Sequence, residues 1–126
     1  MKKKVLIFDD DADILEVCTI LLEDNGFETY TQNNCEHVLQ KLDHVLPDVI
    51  LMDNKIPPSG GVRASKTIRA SSQHGKLPIV FFSANQDVAR LALEAGADDY
   101  IEKPFDLDKL IGMVRKSCLP DLHKTE

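Results

Sequence analysis

An excess of basic charge, paired cysteines and long apolar runs are all missing from this chain. Lysine and arginine number 15 against 21 acidic residues, giving a net charge of −6 at pH 7. Phosphate binding needs a basic patch, so this balance argues against a nucleic-acid surface. Cys18, Cys35 and Cys118 are odd in number and widely spaced, with no C-x-x-C pattern. They read as structural or incidental thiols, because metal-ligand spacing is absent, and they suit a cytoplasmic compartment. Met1-Lys2-Lys3-Lys4 imitates the start of a signal peptide, yet only Val5 to Phe8 follow before three aspartates. A secretory apolar region needs roughly 7–15 residues, and a membrane span roughly 20; neither is met. The histidines also lack ligand spacing. His37 and His44 fall on one predicted helix but too far apart for the i, i+4 metal pair, and His74 and His123 read as exposed loop and tail residues.

What is present is a rhythm that alternates between strand and helix. Val5-Leu6-Ile7-Phe8, Val49-Ile50-Leu51-Met52 and Ile79-Val80-Phe81-Phe82 are continuous apolar runs, as expected of strands buried on both faces of a parallel sheet. Glu28 to Thr31 suits a short polar edge strand, and Tyr100-Ile101 a short last one. Between them, apolar residues recur at helical spacing. Ile14, Val17, Cys18, Leu21 and Leu22 precede a stop at Asn25-Gly26, and Val38, Leu39, Leu42, Val45 and Leu46 are closed off by Pro47. A weaker pattern runs from about Val62 to Ser72, with Ala64 and Ile68 inward. Val88, Leu91, Ala92 and Ala95 end at Gly96, and Leu107, Leu110, Ile111 and Val114 form the last helix. A chain of 126 residues holds one core. Five strand–helix units without repeat or internal linker predict an α/β, flavodoxin-like, doubly wound five-stranded parallel sheet of order 2-1-3-4-5 with five helices. The domain is expected over residues 1–119, with 120–126 a flexible tail.

Two of the buried strands end in acid: the first runs into Asp9-Asp10-Asp11 and the third into Asp53. In this sheet order the first and third strands are neighbours, and ligands bind beyond the carboxyl ends of strands where the order reverses. Three carboxylates within ~5 Å repel by roughly 3 kcal/mol per pair at an effective dielectric near ~20. A hard divalent cation suits such an all-oxygen site, which points to Mg²⁺. Ser83 and Lys103 stand at the ends of the fourth and fifth strands and bring a hydroxyl and an ammonium to the same edge. Asp11 and Asp13 read as first-turn helix acids favoured by the dipole, and Asp98-Asp99 as a solvated turn.

The chain to about Leu119 resembles the receiver domain of two-component response regulators. The resemblance rests on Asp9-Asp10, on Asp53 followed by Ile56-Pro57 and Gly61, on Phe82-Ser83-Ala84, and on Gly96-Ala97-Asp98-Asp99-Tyr100 leading to Lys103-Pro104-Phe105. It implies that Asp53 is the phosphoacceptor, taking its phosphoryl group from a phosphohistidine of a sensor histidine kinase or a histidine phosphotransfer protein. It implies Mg²⁺ held by Asp10, Asp53 and the backbone carbonyl of Lys55, with Asp9 acting mainly through water. Ser83, Ala84 and Lys103 would meet the phosphoryl group, and the Lys103–Pro104 peptide would be cis. Tyr100 would swing inward on phosphorylation and change the face made by the fourth helix, last strand and fifth helix. The implied partners downstream are a protein effector or fused output domain and a phosphorylation-dependent second copy, with no direct nucleic-acid or membrane contact. The domain would be a cytoplasmic regulator and not an enzyme in its own right.

Departures from the family pattern lie beside the acceptor. Ile56 and Gly60 replace a common Met and Asp, and Pro58 adds a second proline to the loop. Lys55 has no acceptor with which to orient an attacking water, whereas Asn85 could do so with its amide; both are read as tuning residues. Two other functions remain as alternatives. Asp9-Asp10-Asp11 contains the D-x-D that opens haloacid-dehalogenase-type phosphatases, although Ala12-Asp13 follows and the chain is short for that fold. A receiver-like scaffold that is not phosphorylated is the other.

Overall fold

The computed structural model describes residues 2–118. Five strands and five helices alternate along the chain: β1 (Lys4–Phe8), α1 (Ala12–Asp24), β2 (Glu28–Gln32), α2 (Val38–Val45), β3 (Val49–Asp53), α3 (Gly61–Ala70), β4 (Ile79–Ser83), α4 (Val88–Ala95), β5 (Asp99–Glu102) and α5 (Leu107–Cys118). The sheet order is β2-β1-β3-β4-β5 and every pairing is parallel. The fold is therefore the flavodoxin-like α/β sandwich that the apolar rhythm predicts. The proposed tail from Pro120 onward, with His123, lies outside the described residues.

Strand side chains alternate between faces, and the core divides accordingly. Leu6, Phe8, Ile50, Met52, Ile79 and Phe81 pack with α2, α3 and α4 on one side. Val5, Ile7, Val49, Leu51, Val80 and Phe82 pack with α1 and α5 on the other. This explains why β1, β3 and β4 read as unbroken apolar runs: both their faces are covered by helices.

Local signals set the helix ends. Asp13 is a first-turn acid of α1, as expected, whereas Asp11 stands just before that turn as the N-cap, its carboxylate accepting the Asp13 N–H at 2.9 Å. Gly96 closes α4 in the left-handed region, at φ 76°. α2 is shorter than its apolar pattern. His37 precedes it and Leu46 follows it, both left-handed; at Leu46 the helix stops because Pro47 keeps its predecessor out of the helical region. Val17, Leu46 and Leu107, which mark the apolar spacing of their helices, are exposed. α3 begins one residue earlier and ends two residues sooner than expected.

One further reading needs correction and another is incomplete. His74 is buried, not an exposed loop residue, and its Nε2 pairs with Asp43 Oδ1 at 2.6 Å. Asp98 is exposed in the bend before β5, as a solvated turn implies, but it is also paired: its Oδ2 accepts from Arg69 Nη2 at 2.7 Å and from the Ile79 N–H at 2.9 Å. Both pairs join elements distant in sequence.

Candidate functional site

The parallel register of β1 and β3 pairs Phe8 with Met52, so the next residues, Asp9 and Asp53, emerge side by side at the sheet edge. Both are buried, whereas Asp10 is exposed. One carboxylate oxygen from each of Asp9, Asp10 and Asp53 lies within 4.8 Å of the others. Ligand oxygens around one Mg²⁺, at about 2.0–2.1 Å from the ion, are at most about 4.2 Å apart. The 4.8 Å bound on the cluster is slightly wider than that span. The donors are all hard oxygens, so these residues fit Mg²⁺ in chemistry.

Lys103, just beyond β5, reaches back into the cluster. Its Nζ donates to Asp9 Oδ2 at 2.6 Å and to Asp53 Oδ1 at 3.1 Å. Asp9 Oδ1 accepts the Asp11 N–H at 2.9 Å, so each Asp9 oxygen has a partner. Burial pushes the Asp53 carboxyl above the ordinary range and the Asp9 charge adds to that. The Lys103 ammonium and the Lys55 backbone N–H pull the other way. Burial works to lower the Lys103 pKa, but the hydrogen bond to Asp9 and the charges of Asp53 and Asp9 overcome it and leave it raised. The lysine thus stays cationic between two anions.

The other sequence-marked residues divide into two sets. Ser83 ends β4 and is buried; its Oγ accepts the Asn85 N–H at 3.0 Å, and its carbonyl accepts the Lys103 N–H at 2.8 Å. That backbone bond ties the strand ends carrying the hydroxyl and the lysine together. The Lys103–Pro104 peptide is cis. Lys55, Ala84 and Asn85 are at the surface around the cluster, with Asn85 Oδ1 accepting the Asp87 N–H at 2.8 Å. Tyr100 is not part of the cluster; it is 43% exposed on β5.

Two residues quoted for the resemblance have supporting roles that sequence reasoning did not see. Gly61 abuts the acceptor strand so closely that a Cβ there would run into the Asp53 carbonyl. The Phe82 ring lies 4.5 Å from Lys103 Nζ. Nothing in an apolar strand pattern separates such a ring from an ordinary core residue. Cys18 lies close enough to feel the cluster. Burial first, and the Asp9 charge second, push its thiol up to about 11, which fits a structural role.

Fold and site together define a class: flavodoxin-like receivers, with acids where the strand order reverses and a lysine reaching them from the far strand. The chain belongs to the response regulator receiver domain family, whose model matches residues 5–115. It is 37% identical over 117 residues to the DNA-binding response regulator MtrA of Mycolicibacterium paratuberculosis, a match covering 91% of this chain and 51% of MtrA. The chain thus spans about half the length of the curated relatives it matches. A putative response regulator from Chloroflexus aurantiacus superposes with a TM-score of 0.88 at 30% identity, covering 94% of this chain and 98% of that one. The receiver domain of sensor histidine kinase PA1611 from Pseudomonas aeruginosa, solved with magnesium coordinated in its active-site cleft, does so with a TM-score of 0.85 at 25% identity, covering 94% and 98%. The chain is a receiver domain of the two-component type, a regulatory module, and nothing favours the phosphatase or scaffold readings. Among the described residues, no helix is long and apolar enough to cross a membrane.

Proposed function

We propose that Asp53 accepts a phosphoryl group from a phosphohistidine on a partner kinase or phosphotransfer protein, with Mg²⁺ held by Asp10, Asp53 and the Lys55 carbonyl, and with Asp9 acting through water. The observation that carries this reading is the Lys103 ammonium set between Asp9 and Asp53 at 2.6 and 3.1 Å. Transfer of a phosphoryl group is mostly positioning and charge neutralisation. Bound Mg²⁺ supplies further positive charge to the phosphoryl oxygens. A carboxylate oxygen of Asp53 forms the new bond to phosphorus while the phosphorus–nitrogen bond breaks, and the imidazole leaves with the electron pair. Lys103 holds Asp53 ionised against desolvation beforehand and meets a phosphoryl oxygen afterwards. Ser83 Oγ is an acceptor from Asn85 and keeps its own proton to donate to a second oxygen.

The same reading assigns the response. A new dianion binds one of two packings better and shifts the population toward it; Tyr100, exposed on β5, turns inward and the α4–β5–α5 face changes. That face is read by an effector, a fused output domain or a second copy of the chain. MtrA is named a DNA-binding regulator, so a fused DNA-binding segment is one such output, while the acidic receiver itself makes no nucleic-acid contact. The module works in the cytoplasm. Lys55 and Asn85 set the phosphoryl lifetime. Lys55→Glu, which gives an attacking water an acceptor, speeds decay of the phosphorylated protein; an unchanged decay rate removes that role.

Incubation with acetyl phosphate and Mg²⁺ tests the assignment by intact mass. The wild type gains one phosphoryl group, about 80 Da for the three-acceptor-oxygen modification. The gain is absent in Asp53→Asn and when Mg²⁺ is chelated. No gain on the wild type favours the scaffold. A gain that survives Asp53→Asn but not Asp9→Asn favours the phosphatase.

A further inference from the structure

An ammonium has three N–H donors, and Lys103 spends two on Asp9 and Asp53. Its third side is covered by the face of Phe82, whose ring centroid is 4.5 Å from Nζ. A cation within about 6 Å of a ring centroid is attracted by the ring quadrupole, most strongly where water is excluded. Water is largely excluded here, since the Lys103 side chain is 15% exposed and Phe82 is fully buried. Phe82 is itself held. It lies on the α1/α5 side of β4 and packs against Phe105 at 6.3 Å between centroids, tilted by 54°. Phe105 follows the Lys103-Pro104 turn, so the segment that carries the lysine also backs the ring.

We propose that Phe82 is a positioning residue for phosphoryl uptake: its ring, backed by Phe105, holds the Lys103 ammonium on the Asp9–Asp53 pair where an entering phosphoryl oxygen will arrive. The two carboxylates pull the ammonium one way and the ring holds it from the other side. An aliphatic side chain of similar bulk fills the core but offers the cation nothing, leaving it to recruit water or swing outward. Electrostatic help in phosphoryl transfer depends on charge already in place when the reaction begins. The hold should therefore appear in the rate at saturating donor more than in the donor concentration needed for half saturation. This inference rests on the reading of Asp53 as acceptor.

Two changes at one position separate the ring's electrostatics from its bulk. Phe82→Leu removes the ring. A ring-fluorinated phenylalanine at position 82 keeps the shape but withdraws electron density from its face. With Mg²⁺ and saturating acetyl phosphate, the fluorinated protein takes up the phosphoryl group roughly three- to tenfold more slowly than wild type, at an unchanged melting temperature. Phe82→Leu is slower still. Uptake by the fluorinated protein at the wild-type rate overturns the proposal. A second readout needs no phosphoryl chemistry: the Lys103 Hε protons show an upfield ring-current shift in the wild type that is lost in Phe82→Leu. If the wild type itself takes up no phosphoryl group, the Asp53 reading fails and this shift decides where the ammonium sits. Its presence in wild type and loss in Phe82→Leu support the hold, and its absence from wild type overturns it.

Discussion

Asp53 sits among groups that pull its proton in opposite directions. Burial and the Asp9 charge favour the protonated acid; Lys103 and the Lys55 N–H favour the anion, and the balance leaves the pKa raised. A folded-state pKa above the unfolded value means that stability is fully present below the unfolded value and is lost as pH rises through the folded one. At neutral pH the Asp53 charge therefore costs stability in the absence of metal. Asp53→Asn should melt higher than wild type at pH 7 in chelator-treated buffer. The gain should shrink as pH falls through the carboxylate range, because wild-type Asp53 is then neutral as well. Asp10→Asn should shift the melt in the same direction by less, since Asp10 is exposed. Thermal melts across pH measure both. Equal or lower melting of Asp53→Asn at pH 7 would mean that the attraction to Lys103 outweighs desolvation and the Asp9 charge.

At the scale of elements, one arginine clips the end of α3 to its neighbours. Arg69 Nε donates to the Gly96 carbonyl at 2.7 Å, Nη1 to the Gly75 and Leu77 carbonyls at 3.0 and 2.6 Å, and Nη2 to Asp98 Oδ2 at 2.7 Å. The planar guanidinium reaches four acceptors from three segments, the turn before β4, the end of α4 and the start of β5. Arg69→Ala should lower the unfolding free energy by about 2–4 kcal/mol, since hydrogen bonds to charged groups contribute about 1.5–3 kcal/mol each and do not add fully. Arg69→Lys should recover little, because a single nitrogen cannot span those acceptors. Urea titration reads both, and a loss under about 1 kcal/mol would mean that water replaces the guanidinium. This clip also shows where sequence reasoning stops. Strands and helices were legible because an apolar period is a local pattern, and the acid cluster was legible because its members sit at strand ends whose order the topology dictates. Arg69 meets Gly96 and Asp98 across 27 and 29 residues, and His74 meets Asp43 across 31. Polar pairs between such distant elements leave no periodic trace, so the pairing of Asp98 went unread and His74 read as an exposed loop residue. Phe82 was legible as core but not as a neighbour of the lysine, for the same reason.

For the whole molecule, the excess of acid and the site pull on the same equilibrium. The chain carries a net charge of −6, and three of its carboxylates converge within 4.8 Å, buried in part and balanced by one lysine. A cation that binds this cluster in the folded state, and finds no such cluster in the unfolded chain, stabilises the fold by mass action. The gain is about 2.7 kcal/mol when the free ion reaches one hundred times its dissociation constant, which for a domain of this size raises the melting temperature by about 10 °C. Mg²⁺ should therefore raise the wild-type melting temperature along a saturating curve, whereas sodium chloride at matched ionic strength should produce only a small, non-saturating change by screening. Asp10→Asn should weaken the Mg²⁺ response, because it removes the exposed ligand while leaving the Lys103 bridge intact. Asp53→Asn should weaken it too, although its metal-free melt starts higher. These two variants thus raise the metal-free melt while shrinking the Mg²⁺-induced shift, which a change in packing alone does not do. An undiminished Mg²⁺ shift in both would place the ion elsewhere on the acidic surface and separate the metal from the acceptor site.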